Sequence, residues 1–160
     1  MLERLSARGA LDGILSQAGR RVPAHAGAVG FVLMAHAAAH LQDEVLALPL
    51  TRYNNRTPTA PDQLRRLWDG VRRQGYAICD GFVHTDALSV AVPVTGPQGG
   101  VVAAIGVIVP TAESRPMTHV STLLTAARGI GEALREQAPP KRTRIFRYAP
   151  TSPAGGPPAP

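Results

Sequence analysis

The stretch that decides the fold covers residues 87–109, ALSVAVPVTGPQGGVVAAIGVIV. It contains two runs of apolar and small residues, 87–94 and 101–109, joined by the turn-forming segment TGPQGG. Two β-rich runs that flank such a turn are a strong signal for a β-hairpin. The sequence therefore predicts a hairpin here, with the other elements of the chain packed around it.

Successive side chains of a strand point to opposite faces, so the hairpin pattern assigns each residue to one face. The bulky face carries Leu88, Val90, Val92 and Val94, with Val101, Ala103, Ile105, Val107 and Val109. The other face, called the small face below, carries Ala87, Ser89, Ala91 and Pro93, with Val102, Ala104, Gly106 and Ile108. Small side chains leave space that either a closely packed helix or a small ligand fills, and the helix is the default expectation.

Upstream of the hairpin, the composition predicts two helices and a short strand. Residues 26–39, AGAVGFVLMAHAAA, predict a buried helix in which Gly27 and Gly30 allow another group to approach closely. Residues 41–48 predict a short amphipathic helix, and residues 11–15 are compatible with a strand. The free N–H groups at the start of the buried helix suit an anion, although glycines there more often serve packing.

Two amphipathic helices complete the prediction. Thr59 and Asp62 match a capping box, and Gly75 follows the end of the helix that they introduce. Its apolar stripe is Leu64, Leu67, Trp68 and Val71. Ser114 and Pro116 introduce a long helix that we expect to cross the sheet. Its stripe is Val120, Leu123, Leu124, Ala127, Ile130 and Leu134.

The composition narrows the class of protein. The 160 residues suffice for one domain with its own core. Cys79 is the only cysteine, so an intramolecular disulfide is impossible and a reducing, cytoplasmic location is expected. The sequence contains neither a long apolar run nor a signal-peptide pattern, so no membrane association is expected.

The net charge of +6 does not by itself indicate a nucleic-acid-binding surface. Lys141, Arg142, Arg144 and Arg147 contribute four of the 17 basic residues, which leaves 13 basic against 11 acidic residues elsewhere. From Pro139 onward the chain contains seven of the 15 prolines and shows no periodicity. We therefore expect one domain over residues 1–138 and a disordered, basic tail over residues 139–160.

Four blocks of sequence now carry a family resemblance. They are RVPAHAGAVG (21–30) with VLMA (32–35), Leu64 with VRRQGY (71–76), LSVAVPV (88–94) and GVVAAIGV (100–107). In this order and spacing, over about residues 18–136, they resemble the effector-binding domain of IclR-type bacterial transcription regulators. The resemblance implies an α+β, GAF-like antiparallel sheet flanked by helices. It also implies a small-molecule effector, a homodimer or tetramer, and no cofactor.

The resemblance also implies where the effector binds, between the first turn of the buried helix and the small face. Carried over residue by residue, it assigns effector binding to Ala28, Val29, Cys79, Ser89, Gly106 and Ile108. Ser89, Gly106 and Ile108 are the residues that the alternation pattern had already assigned to the small face. The sequence departs from the family where Phe31 replaces a lysine and where Gly106 and Ile108 replace serines. A more apolar site follows, suited to an aromatic or alicyclic ligand, with a carboxylate still expected.

The family pattern begins with a winged helix-turn-helix, which this sequence lacks, and its first sensor-domain strands are reduced here. DNA contact is therefore expected only through a domain outside this chain. A dimerisation-only module and a non-functional truncated fragment stay open as alternatives. A zinc site using His25, Cys79, Asp80, His84 and Asp86 is disfavoured because no metal-binding spacing is present. An enzyme with Cys79 as nucleophile is also disfavoured, because no orienting group or oxyanion hole is evident.

Overall fold

A computed structural model describes residues 23–113 and 115–137 of the chain. The elements are α1 (Ala28–His36), α2 (Ala39–Ala47), α3 (Pro61–Gln74), β1 (Ala77–Asp80), β2 (Ala87–Thr95), β3 (Val101–Pro110), a 3-10 turn (Thr111–Glu113) and α4 (Pro116–Gln137). The predicted strand over residues 11–15 and the predicted tail over residues 139–160 lie outside the described residues. In the part described, no helix combines the length and apolar character needed to cross a membrane.

The central hairpin is confirmed. β2 and β3 pair antiparallel from Ala87 opposite Pro110 to Thr95 opposite Val101, with one irregularity next to the turn. β1 adds to the other side of β2, also antiparallel, with Cys79 opposite Ser89. The described sheet therefore has the order β1-β2-β3, and the α+β class that the sequence predicted is confirmed.

The two faces of the hairpin bury two separate clusters, as the alternation of residues predicted. On the bulky face α4 contributes Val120, Leu123 and Ala127 to a cluster with Leu88, Val90, Val92 and Val94. On the small face α1 packs against the sheet and α3 packs against α1, with a core of Ala28, Phe31, Val32, Ala35, Leu64, Trp68, Val71, Ala77, Cys79 and Ala91. Small residues on this face let α1 lie close to the sheet.

The buried helix predicted over residues 26–39 is shorter than expected. It begins at Ala28 after the N-cap Gly27 and ends at His36, because Ala37 is extended and α2 begins at Ala39. Alanine favours helix, so tertiary packing overrides local propensity at this break. Gly30 confirms the predicted close approach, since an added Cβ would lie 2.5 Å from the carbonyl oxygen of Ala24.

The ends of α3 correct one prediction and confirm another. The predicted capping box of Thr59 and Asp62 is wrong, because α3 begins at Pro61, its N-cap is Ala60, and no side chain caps it. The hydroxyl of Thr59 instead accepts a hydrogen bond of 2.7 Å from Arg52. Gly75 ends α3 in the left-handed conformation at φ 81°, as predicted. Proline at the first helical position removes one unsatisfied N–H and therefore makes a side-chain cap less necessary.

The apolar stripe of α4 also needs one correction. Val120, Leu123 and Ala127 are buried, but Ile130 is exposed and Gly131 takes the next buried position. An added Cβ on Gly131 would lie 2.8 Å from the carbonyl oxygen of Thr95 in β2. The helix therefore uses a glycine, which hydrophobicity does not highlight, to approach the sheet closely.

Candidate functional site

The first turn of α1 meets β1 and β2 at Ser89. The Ala28 N–H donates a hydrogen bond of 3.3 Å to Ser89 Oγ, and the Ser89 hydroxyl donates one of 3.4 Å to the Cys79 carbonyl. Both are long for hydrogen bonds of their type, so both are weak. Ser89 is thus the polar group at a junction that is otherwise built from apolar side chains and backbone.

The third strand borders the same junction. Ile108 lies opposite Ser89 across β2 and β3, and Gly106 lies opposite Ala91. An added Cβ on Gly106 would lie 3.0 Å from Val29 Cγ2, which places Val29 of α1 directly over Gly106. Gly106 is exposed, as are 42% of Val29 and 47% of Ile108, so this side of the junction is open in the described part of the chain.

All six residues that the resemblance assigned to effector binding thus lie around one junction. Ala28 and Cys79 form its buried floor, Ser89 is half-buried between them, and Val29, Gly106 and Ile108 form its open side. Their arrangement follows from two features of the sequence, the alternation of the strands and the glycine-rich start of α1. Their role in binding stays a prediction.

The buried thiol of Cys79 is unreactive. Burial raises the pKa of the Cys79 thiol from 9.0 to about 12, and the hydrogen-bonding Ser89 hydroxyl opposes this shift only in part. Thiolate is the reactive form of cysteine, so a pKa this high disfavours nucleophilic or metal-binding roles. Cys79 is therefore a packing residue in the described structure.

The start of α1 is fixed by contacts on its outer side. His25 is buried, and its Nε2 lies 2.9 Å from the carbonyl oxygen of Thr51, which requires the proton to be on Nε2. The ring of His25 also stacks on Tyr53, with centroids 6.5 Å apart. These contacts secure the loop between α2 and α3 against the segment that leads into α1.

The loop between α2 and α3 is also joined to the loop that follows β1, a contact that the residue pattern does not indicate. Thr57 is buried, its hydroxyl donates a 2.6 Å bond to the Phe82 carbonyl, and it accepts bonds from the N–H groups of Tyr53 and Asn54. Asn54 Nδ2 donates a 2.8 Å bond to the Gly81 carbonyl. The only sequence signal was a density of Thr, Asn and Pro, which indicates a loop but not its partner.

Phe31 stands where the family pattern has a lysine, and it is buried. Its ring packs against Phe82 with centroids 5.8 Å apart, so it joins the loop between β1 and β2 to α1. The contact between Phe31 and Phe82 is therefore apolar at a position where the family resemblance implies a charged lysine. Among the described residues, no group of three His, Cys, Asp or Glu side chains is arranged to bind a metal ion.

Comparison with known proteins places this arrangement in a family. The sequence profile described as "Bacterial transcriptional regulator IclR C-terminal" matches residues 5–133. The Pca operon regulatory protein of Acinetobacter baylyi is 30% identical over 118 residues, which are 73% of this chain and 42% of that protein. The chain thus spans less than half the length of this relative.

Solved structures agree with this result. An IclR homologue from Microbacterium hydrocarbonoxydans, crystallised with 4-hydroxybenzoate, superposes with a TM-score of 0.77 at 36% identity, over 84% of this chain and 55% of that one. The inducer-binding domain of PobR from Acinetobacter, a double mutant in complex with 3-hydroxybenzoic acid, gives 0.64 at 28% identity, over 73% and 69%. The chain belongs to the family of IclR C-terminal domains, the effector-binding regulatory domains of these bacterial transcription regulators.

Proposed function

We propose that the junction around Ser89 binds a small aromatic or alicyclic carboxylate. The observation that carries the proposal is the pair of weak hydrogen bonds at Ser89, to Ala28 N–H and to the Cys79 carbonyl. A ligand carboxylate is a stronger acceptor than a hydroxyl, so it competes well for the Ala28 N–H. The N-terminal end of α1 adds a favourable dipole for the negative charge.

The open side of the junction suits the carbon skeleton of such a ligand. Val29 and Ile108 offer exposed apolar surface, and Gly106 lets the Val29 side chain lie directly against β3. Phe31 supplies no cation, so recognition of the charge falls to backbone N–H groups and Ser89. Two related domains were crystallised with hydroxybenzoates, which makes this chemical class the first to test.

A thermal-shift titration of the full chain tests the proposal. The ligand series is 4-hydroxybenzoate, benzoate, cyclohexanecarboxylate, pyruvate and, without a carboxylate, 4-hydroxybenzyl alcohol. At about 100 times its dissociation constant a ligand adds roughly 2.7 kcal/mol to the free energy of unfolding. We expect a shift with the ring carboxylates, a smaller one with pyruvate and none with the alcohol.

Two variants locate the binding. Ser89→Trp fills the junction and is expected to abolish the shift, whereas Ser121→Trp, on the exposed side of α4, is expected to keep it. If Ser89→Trp does not fold, Ser89→Ala replaces it and is expected to weaken binding. An equal shift in the Ser89 and Ser121 variants would contradict a site at this junction.

The proposal extends to an intact regulator. Ligand binding would favour one arrangement of the effector-domain oligomer, and that differential affinity would change the spacing of DNA-binding domains outside this chain. A domain boundary at residue 138 and a cytoplasmic location are parts of the same proposal.

A further inference from the structure

Trp68 of α3 carries a buried hydrogen-bond donor that no described residue pairs. Its side chain is 1% exposed. In the part of the chain that the structure describes, the indole Nε1 of Trp68 is the only buried side-chain nitrogen or oxygen atom without a hydrogen-bond partner. Buried donors are nearly always paired, because an unpaired one costs free energy. The core of the small face therefore keeps one N–H group that lacks an acceptor.

α1 and α3 run in the same direction over β1. The end of α3 lies near the start of β1, because two residues separate these elements. The end of α1 lies there too, since Arg72 Nε in the last turn of α3 donates a 2.6 Å bond to the Ala35 carbonyl. At the other end, Thr57 ahead of α3 bonds Phe82 after β1, and the first turn of α1 meets Ser89. Both helices thus start near the end of β1 where the junction lies.

Trp68 lies beside the buried floor of the junction. It is seven residues before Gly75, about 10 Å of helix, and Cys79 is four residues after Gly75, about 13 Å of strand. The two side chains are therefore at similar levels along the elements. Trp68, Ala28 and Cys79 belong to one buried cluster. Because Ala28 and Cys79 have small side chains, little side-chain volume separates the indole from Ser89.

We propose that the Trp68 indole N–H donates a hydrogen bond to an oxygen atom of the bound effector, on the part of the ring remote from its carboxylate. Trp68 would thus select ring carboxylates that carry a hydroxyl or keto group. This inference rests on the proposed function, because it concerns the ligand of the same site. An indole N–H is only a donor, so its partner must offer a lone pair. Hydroxyl and keto oxygens do so, whereas an unsubstituted ring does not.

A row of residues under the first turn of α1 leads from the open side of the junction towards Trp68. Cys79, Ser89 and Ile108 are neighbours on β1, β2 and β3, so with strands about 4.8 Å apart the row is about 10 Å long. Apolar surface lies at the Ile108 end, and the core that contains Trp68 lies at the Cys79 end. A ligand whose carboxylate binds the Ala28 N–H therefore gains a second polar contact by directing its ring oxygen towards the Cys79 end.

Selectivity follows because the donor is unpaired before the ligand binds. A ligand without a ring oxygen leaves the indole N–H of Trp68 as it was, so its affinity neither gains nor loses from this group. A ligand with a ring oxygen supplies the missing acceptor. A neutral hydrogen bond in a buried site increases affinity by about tenfold.

Calorimetric titration of the full chain with matched ligand pairs tests the proposal. The pairs are 4-hydroxybenzoate with benzoate, and 4-oxocyclohexanecarboxylate with cyclohexanecarboxylate, whose members differ only in the ring oxygen. We expect the oxygen-bearing member to bind about tenfold more tightly. Trp68→Phe keeps an aromatic ring but removes the N–H, so it is expected to bring this ratio close to one. Val71→Ala, at the next buried position of α3, is the control for lost core volume and is expected to keep the ratio.

Two further measurements separate the N–H group from the packing of the indole. Replacement of Trp68 by 3-benzothienylalanine keeps the two-ring shape and puts sulfur in place of the N–H. It is expected to abolish the preference, and it serves where Trp68→Phe does not fold. Because the chain has one tryptophan, a single indole N–H resonance reports on this group. We expect 4-hydroxybenzoate to shift this resonance downfield and benzoate to shift it much less.

Three results would overturn the proposal. If both members of each pair bind equally, or if the preference survives loss of the indole N–H, Trp68 does not select the effector, and the proposed function stands. If a nuclear Overhauser effect between the indole proton and water persists at saturating ligand, an enclosed water molecule is the acceptor instead. If no carboxylate binds and the indole resonance does not move, the proposed function fails and this inference fails with it.

Discussion

Two glycines of α4 allow a quantitative test of how closely this helix lies on the sheet. Replacing glycine by alanine in a helix interior gains about 0.8–1.0 kcal/mol from propensity alone. At Gly129 an added Cβ meets nothing within 4 Å, so Gly129→Ala is expected to gain about this much. At Gly131 the same Cβ lies 2.8 Å from the Thr95 carbonyl oxygen, which is backbone and cannot rotate away. Overpacking of this kind costs about 1–3 kcal/mol.

The propensity gain is common to both variants, so their difference isolates the steric cost. We expect Gly131→Ala to be less stable than Gly129→Ala by about 1–3 kcal/mol. Equilibrium urea unfolding measures this as a lower midpoint at an unchanged m-value. Because Thr95 adjoins the irregular end of the β2–β3 ladder, Gly131→Ala should also shift the amide resonances of the turn after Thr95. Equal gains in the two variants would refute the close approach of α4 to β2.

Substitutions at three further positions test the site and the contacts around it. Between pH 9 and 12 the unfolded chain loses the Cys79 proton and the folded chain keeps it, so the free energy of unfolding should fall by up to about 1.4 kcal/mol per pH unit. In urea titrations at several pH values, Cys79→Ala should remove this part of the pH dependence. Gly30→Ala should destabilise by about 1–3 kcal/mol despite its helix propensity, because the new Cβ meets the Ala24 backbone; an increase in the urea midpoint would contradict this. Thr57→Val should cost about 2–3 kcal/mol by leaving three backbone groups unpaired, whereas Thr57→Ser should cost less than about 1 kcal/mol in thermal unfolding; similar losses would contradict the hydrogen-bond account.

The central features of the fold could be predicted because they depend on short-range regularity. Alternation over β2 and β3 assigned Ser89, Gly106 and Ile108 to one face, and the register, with Ile108 opposite Ser89 and Gly106 opposite Ala91, is consistent with that assignment. Gly75 ends α3 because it adopts the left-handed conformation, which depends only on the residue type at that position. Such features need no knowledge of distant parts of the chain, so pattern alone is sufficient.

The errors arose where tertiary contacts decide the structure. The break at Ala37 separates α1 from α2 in an alanine-rich segment that by itself favours helix. Gly131 replaces the expected Ile130 on the buried side of α4 because only a glycine allows contact with the Thr95 carbonyl. The hydrogen bond from the Thr57 hydroxyl to the Phe82 carbonyl joins residues 25 apart in sequence, a separation over which residue patterns carry no information.

The position of α1 links the proposed effector site to the core of the small face. Its first turn donates the Ala28 N–H to Ser89, and Phe31, Val32 and Ala35 of the same helix belong to the buried core. A ligand that replaces Ser89 as the acceptor at Ala28 is therefore expected to change the contacts of the whole helix. A ligand can shift the position of α1 only by its differential affinity for the two positions, so the size of that shift limits what effector binding can transmit beyond this domain.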